Sequence, residues 1–263
     1  MAVQTKGFCK YCGRAFTRGG MLRHLESCKE RAIALEAERG KRKAGYFQLV
    51  LTGRYRKDYW LIIEMRDSAM LEELDQFIRD IWVECCGHMS CFKIYGKQYE
   101  PSRMFGDSWG YRAESMRISL SKVLSPDMEF TYEYDYGSTT ELAVKVEGYR
   151  TGFWKEEAVT ILSRNNPPEI LCSCCGNNLA EWVDPQGYYD GTPYWCEECL
   201  EEQYEDPEEA RILPICNSPR MGVCGYGGSE IYPDQFEPDK KYVVKLKARK
   251  RTGTEETVGK KKE

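Results

Sequence analysis

Hydrophobic and polar positions alternate over two parts of the chain. Residues 46–51 and 59–63 are mostly apolar and are separated by the polar turn 53–58, which indicates a β-hairpin. From residue 128 to 136 apolar and polar side chains alternate strictly, and the alternation resumes over 142–146 after a short turn. The chain therefore predicts two hairpins, each with one buried face.

Between these hairpins, apolar residues recur at the spacing of one face of a helix. They are Leu71, Leu74, Phe77, Ile78, Ile81 and Trp82. A helix of this kind is expected to pack on the first hairpin. The order of hairpin, helix, strands and hairpin predicts an α+β fold with a largely antiparallel sheet and helices on one side.

Four potential metal ligands stand at zinc-finger spacing near the start of the chain. Two cysteines three positions apart precede a histidine and a cysteine one helical turn apart, so all four can reach one ion. These ligands are Cys9, Cys12, His24 and Cys28. The stretch resembles short fingers of the Cys-Cys-His-Cys type, whose small core makes folding depend on the metal. A helical hairpin with free cysteines is the alternative.

Basic residues crowd the finger and the segment after it. Residues 24–44 are expected to form one helix with mostly polar and basic faces. Because lysine and arginine neutralise phosphates, contacts with nucleic acid are predicted for this region. The predicted contact residues are Arg14, Arg18, Arg23, Lys41, Arg42 and Lys43. A solvated linker helix is the alternative interpretation.

A second group of cysteines, at zinc-ribbon spacing, follows the sheet. Its two pairs are Cys172 with Cys175 and Cys196 with Cys199, and a glycine follows the first pair where the chain must turn sharply. Cys174 could replace either member of the first pair. Four protein ligands would leave no open position for water, so the two modules predict two structural zinc ions and no catalytic metal.

The central region resembles the plasmid Ri open-reading-frame-3-like family, some members of which are labelled as passengers of insertion elements. The matching segments are 46–51 with Trp60, the helix into Trp82, 88–92, Tyr99 and, most specifically, FTYEYDYGSTTEL at 130–142. The resemblance runs from about residue 45 to 228. It implies a compact α+β fold and supplies no established reaction.

Composition and charge narrow the class of protein. No apolar run is long enough for a membrane span or a signal peptide, so a cytoplasmic protein without membrane contact is expected. Thirteen cysteines then favour metal sites over disulfides. Residues 1–57 carry fourteen basic and four acidic side chains, whereas 181–210 carry eleven acidic and none basic. This segregation favours nucleic acid as the partner of the N-terminus and a protein as the partner of the ribbon.

Four segments follow from these patterns: a finger with its basic helix (1–44), an α+β domain (45–165), a zinc ribbon (166–231) and a basic tail expected to be disordered (232–263). The two zinc modules thus flank the sheet. The expected function is that of a non-enzymatic zinc-binding adaptor for nucleic acid or protein, linked to mobile elements by the resemblance.

Two alternatives remain open at the level of the sequence. One is a nuclease or recombinase accessory enzyme with its site in the central domain, and the other is a module for protein interaction alone. His88 and Cys91 are close enough in sequence for a nucleophilic pair, but no third residue that would orient them is evident. Cys85 and Cys86 are interpreted as core or edge residues, and the loop 217–225 with Cys216 and Cys224 has no assigned role.

Overall fold

The computed structural model describes residues 4–101, 113–187, 191, 193–204 and 211–239. The strands are β1 Lys6–Phe8, β2 Ala15–Thr17, β3 Lys43–Gly53, β4 Trp60–Arg66, β5 Ser90–Ile94, β6 Lys97–Glu100, β7 Glu114–Ser115, β8 Glu129–Tyr134, β9 Thr140–Phe153, β10 Val159–Arg164, β11 Trp182–Val183, β12 Tyr194–Trp195 and β13 Leu213–Pro214. The α-helices are α1 Arg18–Ser27, α2 Lys29–Glu36, α3 Leu71–Ile78 and α4 Glu197–Gln203. The tail 240–263 and part of the acidic stretch 181–210 lie outside the described residues.

One eight-stranded sheet, in the order β10-β4-β3-β9-β8-β5-β6-β7, forms the centre of the molecule. All its pairings are antiparallel except that of β6 with β7. The two predicted hairpins are present, as β3 with β4 and as β8 with β9. The predicted α+β class with a largely antiparallel sheet is therefore confirmed.

Helix α3 covers one face of this sheet. Its predicted apolar stripe is buried over its whole length, and it continues into a π-helical turn, Arg79–Val83. The Glu73 carboxylate accepts the Met70 N–H at 2.7 Å, which satisfies one of the free amides at the start of the helix. The opposing side chains of β3, β4, β8 and β9 complete this core.

The other face of the sheet is covered by the N-terminal finger. Its Cys9, Met21 and Leu25 share one core with Trp60 and Leu162 of the sheet. Strand β1 runs along the sheet edge, where Lys10 N–H donates to the Leu162 carbonyl at 2.9 Å. Helices therefore lie on both faces of the sheet, because the finger packs its own helices against the face that α3 leaves open.

The predicted single helix over 24–44 is wrong. The backbone is extended at Cys28 (ψ 112°), so the chain forms two helices, and α2 ends at Glu36. Lys43 already belongs to β3, which pairs with β9. Cys28 lies at the break between the two helices, and its sulfur joins the other finger ligands.

The C-terminal part carries a small three-stranded sheet in the order β12-β11-β13, followed by a segment that returns to the central sheet. Residues 232–239 are predicted to be disordered but are packed: Asp239 pairs with Lys10 at 3.1 Å, and Arg164 donates to the Pro233 carbonyl at 2.8 Å. These polar contacts hold a stretch whose composition alone indicates disorder. Of the helices within the described ranges, none is long and apolar enough to cross a membrane.

Candidate metal centres and basic surface

The finger brings its four predicted ligands together. The ligating atoms of Cys9, Cys12, His24 and Cys28 all lie within 4.8 Å of one another. A tight knuckle presents the first pair: Gly13 has a φ of 68°, and its N–H donates to the Cys9 carbonyl at 2.9 Å. A positive φ at this position favours glycine, which explains why it follows the cysteine pair.

Helix α1 supplies the histidine. His24 is buried, its Nε2 lies 3.1 Å from the Cys12 sulfur, and its ring stacks on Phe16 at a centroid distance of 4.3 Å. Burial lowers the pKa of His24, which favours the neutral imidazole that a metal ligand requires. The burial of Cys9 raises the pKa of its thiol to about 12, so a metal ion binding there would displace a proton.

The ribbon repeats the same knuckle. Cys172, Cys175, Cys196 and Cys199 have their sulfurs within 4.8 Å of one another. Gly176 has a φ of 67° and donates its N–H to the Cys172 carbonyl at 2.9 Å, as Gly13 does in the finger. The second cysteine pair lies at the start of α4, where the Leu200 N–H donates to the Cys196 carbonyl at 3.0 Å. Cys174 is exposed and lies outside this group of four.

Backbone donors surround the ribbon sulfurs. Burial raises the pKa of Cys172, but the N–H groups of Cys175, Cys196 and Cys174 outweigh it and lower that pKa to about 6. Such donors stabilise a thiolate, the form that binds a metal ion. The pKa of Cys175 is also lowered by backbone N–H donors, whereas the neighbouring Cys196 sulfur raises the pKa of Cys199, so the thiolate form is favoured in the first cysteine pair.

In both clusters, the ligand types and the distances between them fit a metal ion with tetrahedral coordination. In a tetrahedron with metal–sulfur distances of about 2.3 Å, neighbouring sulfurs lie about 3.8 Å apart. The sulfurs of Cys175 and Cys196 are separated by 3.9 Å. Three cysteines with one histidine, and four cysteines, are both common ligand sets of structural zinc. Each cluster would hold an ion entirely with protein ligands.

A third cluster was not expected from the sequence. The ligating atoms of Cys85, Cys86, His88 and Cys224 also lie within 4.8 Å of one another. We call this group the seam cluster, because it joins the central domain to the C-terminal segment. The sequence predicts core or edge positions for the first two cysteines, but Cys86 is exposed and turned towards His88. Only the adjacency of Cys-Cys-x-His signals the site locally, since the fourth ligand is distant in sequence.

The loop 217–225 with Cys216 locks the C-terminal segment onto the sheet. Asn217 and Arg220 are fully buried. The Asn217 side chain accepts from Asn165 at 2.7 Å and donates to the Asp234 carbonyl at 2.9 Å, while Arg220 pairs with Asp135 at 2.7 Å. The loop thus has a structural role that the sequence leaves unassigned.

The predicted nucleic-acid contacts fall into two groups. Arg18 and Arg23 lie on α1, beside a groove between the finger and the sheet. Lys41, Arg42 and Lys43 lie at the other end of β3, about 30 Å away along the strand. There Arg42 stacks on Trp154 at 4.2 Å, and Lys43 lies 3.8 Å from the centre of the Phe153 ring. Arg14 is exposed beside Phe16, so the six residues do not form one patch.

The groove contains residues that the sequence does not single out. The turn between β3 and β4 brings Arg54, Tyr55 and Lys57 next to the start of α1. Tyr55 is 78% exposed. We call the concave surface formed by Arg18, Arg23, Arg54, Tyr55 and Lys57 the finger groove. It places an exposed aromatic ring among basic side chains. The sequence shows Tyr55 between Arg54 and Arg56, but not that α1 adds Arg18 and Arg23 to the same surface.

His88 and Cys91 do not form a nucleophilic pair. The His88 Nε2 lies 2.9 Å from the Cys86 sulfur and 3.2 Å from the Cys224 sulfur. Cys91 is fully buried on β5, and this burial raises the pKa of its thiol to about 11. A buried, protonated thiol is a poor nucleophile.

The chain was compared with solved structures, with curated proteins and with protein-family models. A protein of unknown function from Methanosarcina mazei Go1, MM3350, has a crystal structure that matches 74% of this chain and 95% of its own, with a TM-score of 0.43 and 17% identity. No protein with a curated description matches the sequence. The family model for plasmid pRiA4b ORF-3-like proteins matches residues 47–184, just over half of the chain. The resemblance beyond residue 184 stays a prediction. The chain belongs to the plasmid pRiA4b ORF-3-like family.

Proposed function

We propose that this protein is a non-enzymatic, metal-stabilised adaptor that contacts nucleic acid through the finger groove. The observation that carries the proposal is the meeting, in one concave surface, of basic residues from α1 with basic and aromatic residues from the β3–β4 turn. Basic grooves with exposed aromatic rings are typical of surfaces that bind nucleic acid strands. The metal clusters would support this surface and take no part in chemistry.

The charges of the groove support phosphate binding. Arg23 and Lys57 are exposed, and among the described residues neither has an ion-pair partner. Arg54 pairs with Glu141 at 3.2 Å, and Arg18 donates to Thr52 at 3.0 Å, so these two side chains are held at the wall of the groove. The Thr17 hydroxyl caps α1, and the first turn contains no acidic residue, so no negative side chain there opposes the positive end of the helix dipole. The groove is also lined by Asp58, Glu129 and Glu147, whose negative charges would limit the area that a nucleic acid can contact.

The absence of a catalytic role is part of the proposal. Each cluster has four protein ligands, which is the arrangement of structural metal sites. The alternative of a nuclease or recombinase accessory enzyme would need a reactive group in the central domain. The two candidates there already have other partners: His88 contacts Cys86, and Cys91 contacts Glu133. The proposal includes a link to mobile elements, which the plasmid origin in the family name supports.

An acidic helix supports a second role, docking to a protein. Four glutamates of α4, Glu197, Glu198, Glu201 and Glu202, are all exposed. A surface of this charge repels phosphates and attracts basic partners. In this view the finger groove holds nucleic acid while α4 recruits a basic protein, and all thirteen free cysteines fit a reducing, cytoplasmic setting.

Fluorescence anisotropy with a labelled mixed-sequence duplex, and with its single strand, tests the proposal on the full-length protein. We expect affinity to fall steeply between about 50 and 200 mM salt, as for any binder that displaces counterions. The double variant Arg23→Gln with Lys57→Gln should lower the slope of log affinity on log salt by about two.

The matched control is Arg117→Gln, because Arg117 is an exposed arginine next to Glu72, away from the groove. This variant should bind like the wild type. Wild-type protein that binds neither probe, or a double variant with an unchanged salt slope, would rule out the finger groove as the site.

A further inference from the structure

The seam cluster begins in a loop that the core holds rigidly. Arg79, fully buried in the π-helical turn, donates to the His88 carbonyl at 2.8 Å and to the Ser90 hydroxyl at 2.7 Å. It also pairs with Glu84 at 2.6 Å and with Asp75 at 2.9 Å. One guanidinium thus fixes both ends of the loop that carries three of the four ligands. Helical π-turns are frequent at functional sites, which agrees with this placement.

Further hydrogen bonds shape the interior of this loop. The Glu84 carboxylate accepts the Gly87 N–H at 2.6 Å and the Tyr134 hydroxyl at 2.8 Å. Gly87 has a φ of 75°, which allows the chain to reverse between Cys86 and His88. The side chains of these two residues consequently point to the same place, with the His88 Nε2 2.9 Å from the Cys86 sulfur.

The fourth ligand comes from the C-terminal segment. Buried Arg220 donates to the Asp135 carboxylate at 2.7 Å, to the Ser138 carbonyl at 3.1 Å and to the Thr140 hydroxyl at 3.0 Å. These bonds fix the segment on the β8–β9 turn and bring Cys224 within 3.2 Å of the His88 Nε2. Cys224 has a φ of 55°, a conformation that non-glycine residues adopt rarely and mostly where the surroundings impose it.

The sulfur separations are those of ligands around one ion. The Cys86 and Cys224 sulfurs lie 3.8 Å apart, and the Cys85 and Cys86 sulfurs 3.6 Å apart. These distances match the edge of about 3.8 Å expected in a tetrahedral zinc–thiolate site. They far exceed the bond of about 2.05 Å in a disulfide. The three cysteines of the group are free, and their sulfurs converge with the His88 ring nitrogen.

The local charges suit an ion held by three thiolates and one imidazole. Such a site with a divalent cation carries one net negative charge. The Arg220 guanidinium lies 3.5 Å from the Cys85 sulfur and would offset that charge. Asp135, which lies 3.6 Å from the His88 Nε2, pairs with the same guanidinium, so the ion, its ligands, Asp135 and Arg220 together carry one net negative charge.

We propose that the seam cluster binds a third ion of the zinc type and thereby fastens the C-terminal segment to the central sheet. Three thiolates with one imidazole select a borderline-soft divalent cation with tetrahedral geometry. The ion would bridge positions far apart in the sequence, the loop after α3 and the segment after the ribbon. Because Cys86 and Cys224 are exposed, this ion is the most accessible of the three to competing chelators.

Native mass spectrometry of the full-length protein, purified with reductant and supplied with zinc, tests this proposal. The variants Cys86→Ser and Cys224→Ser should each hold one zinc ion fewer than the wild type. Both side chains are exposed, so the substitutions leave the core unchanged. Titration of the wild type with a chelator should remove first the ion that these variants lack.

Cys174→Ser is the matched control, since Cys174 is an exposed cysteine outside all three clusters. It should retain the full complement of zinc. Cys86→Ser and Cys224→Ser variants that hold as many ions as the wild type would overturn the proposal. A wild-type mass lower by two hydrogens, with these cysteines joined in a disulfide, would also overturn it. Both outcomes are independent of whether the finger groove binds nucleic acid.

Discussion

In the finger, Cys9 and Cys28 lie in the same core as Trp60 and Leu162 of the central sheet. In the ribbon, the small core is formed by Val183 with residues of the C-terminal segment, and the ribbon cysteines are not part of it. Both modules use the same cysteine knuckle, with a glycine at positive φ after the second cysteine. The ligand motif is therefore the same. The packing around each module decides how much of the protein is destabilised when its ion is lost.

The two modules also differ in whether their charged side chains are buried or exposed. The finger is tied to the sheet by a network in which buried Glu64 accepts from Arg31 of α2 at 2.7 Å and from Arg150 of β9 at 2.7 Å. The ribbon instead exposes glutamates along α4. The finger thus uses buried charge for attachment, whereas the ribbon presents charge to solvent. Arg31 is consequently engaged in an ion pair and is not available to phosphates.

The largest effect is expected from removing one ligand in each module. Cys9→Ser should lose one metal ion and lower the melting temperature by about 10 °C, because loss of the ion would expose a buried core that the finger shares with the sheet face. Cys199→Ser should also lose one ion but leave the main unfolding transition nearly unchanged. Calorimetry with metal analysis measures both. Equal shifts for the two variants would remove the distinction between the modules.

The buried ion network predicts the next effect. Glu64→Gln should destabilise the protein by about 3 kcal/mol, because it removes the buried carboxylate that Arg31 and Arg150 share and leaves Arg150 only its pairing with Glu38. The measurement is urea unfolding at neutral pH. Glu201→Gln, a change at an exposed site on α4, is the control and should have little effect.

The Glu64 carboxyl group also makes the free energy of unfolding depend on pH, in a direction that follows from its pKa. Burial raises the pKa of Glu64, but hydrogen bonds and charge attraction from Arg150 and Arg31 outweigh it, so that the pKa is lowered from 4.5. A lowered folded-state pKa gives stability that is present above pH 4.5 and is lost as the pH falls through the folded-state value. The Glu64→Gln variant should lose less stability than the wild type on acidification. An identical acid profile for both proteins would contradict the ion network.

A smaller effect is expected where the finger touches the sheet edge. A Cβ at Gly7 would lie 2.1 Å from the Arg164 carbonyl oxygen, so Gly7→Ala must push β1 away from β10. We expect a loss of about 2 kcal/mol. Gly19→Ala is the control, since a Cβ there meets nothing within 4 Å. Urea unfolding compares the two, and a harmless Gly7→Ala would mean that the finger is not docked as described.

The sequence predicts the fold and the first two clusters well, for physical reasons. Alternation and helical periodicity are local signals of burial, and they give the β3–β4 hairpin, α3 and the β8–β9 hairpin correctly. Paired cysteines at short spacing are likewise local, so the finger and ribbon ligands are found together as expected. Each of these features depends on residues that are near one another in the chain.

Features that depend on tertiary packing are missed. Cys224 joins Cys86 only because buried Arg220 fixes the C-terminal segment against Asp135. The docking of the finger on the sheet, and with it the meeting of Arg23 and Tyr55 in the finger groove, also follows from packing between distant segments. Neither hydrophobic periodicity nor the spacing of residues along the chain predicts contacts between such distant segments.

Hydrogen–deuterium exchange of the full-length protein, with and without a mixed-sequence duplex, tests the proposed function most directly. The duplex should slow exchange in α1 and in the turn 53–58, while α4 should exchange at an unchanged rate. Protection that appears in α4 and not in α1, or no protection anywhere, would contradict binding through the finger groove.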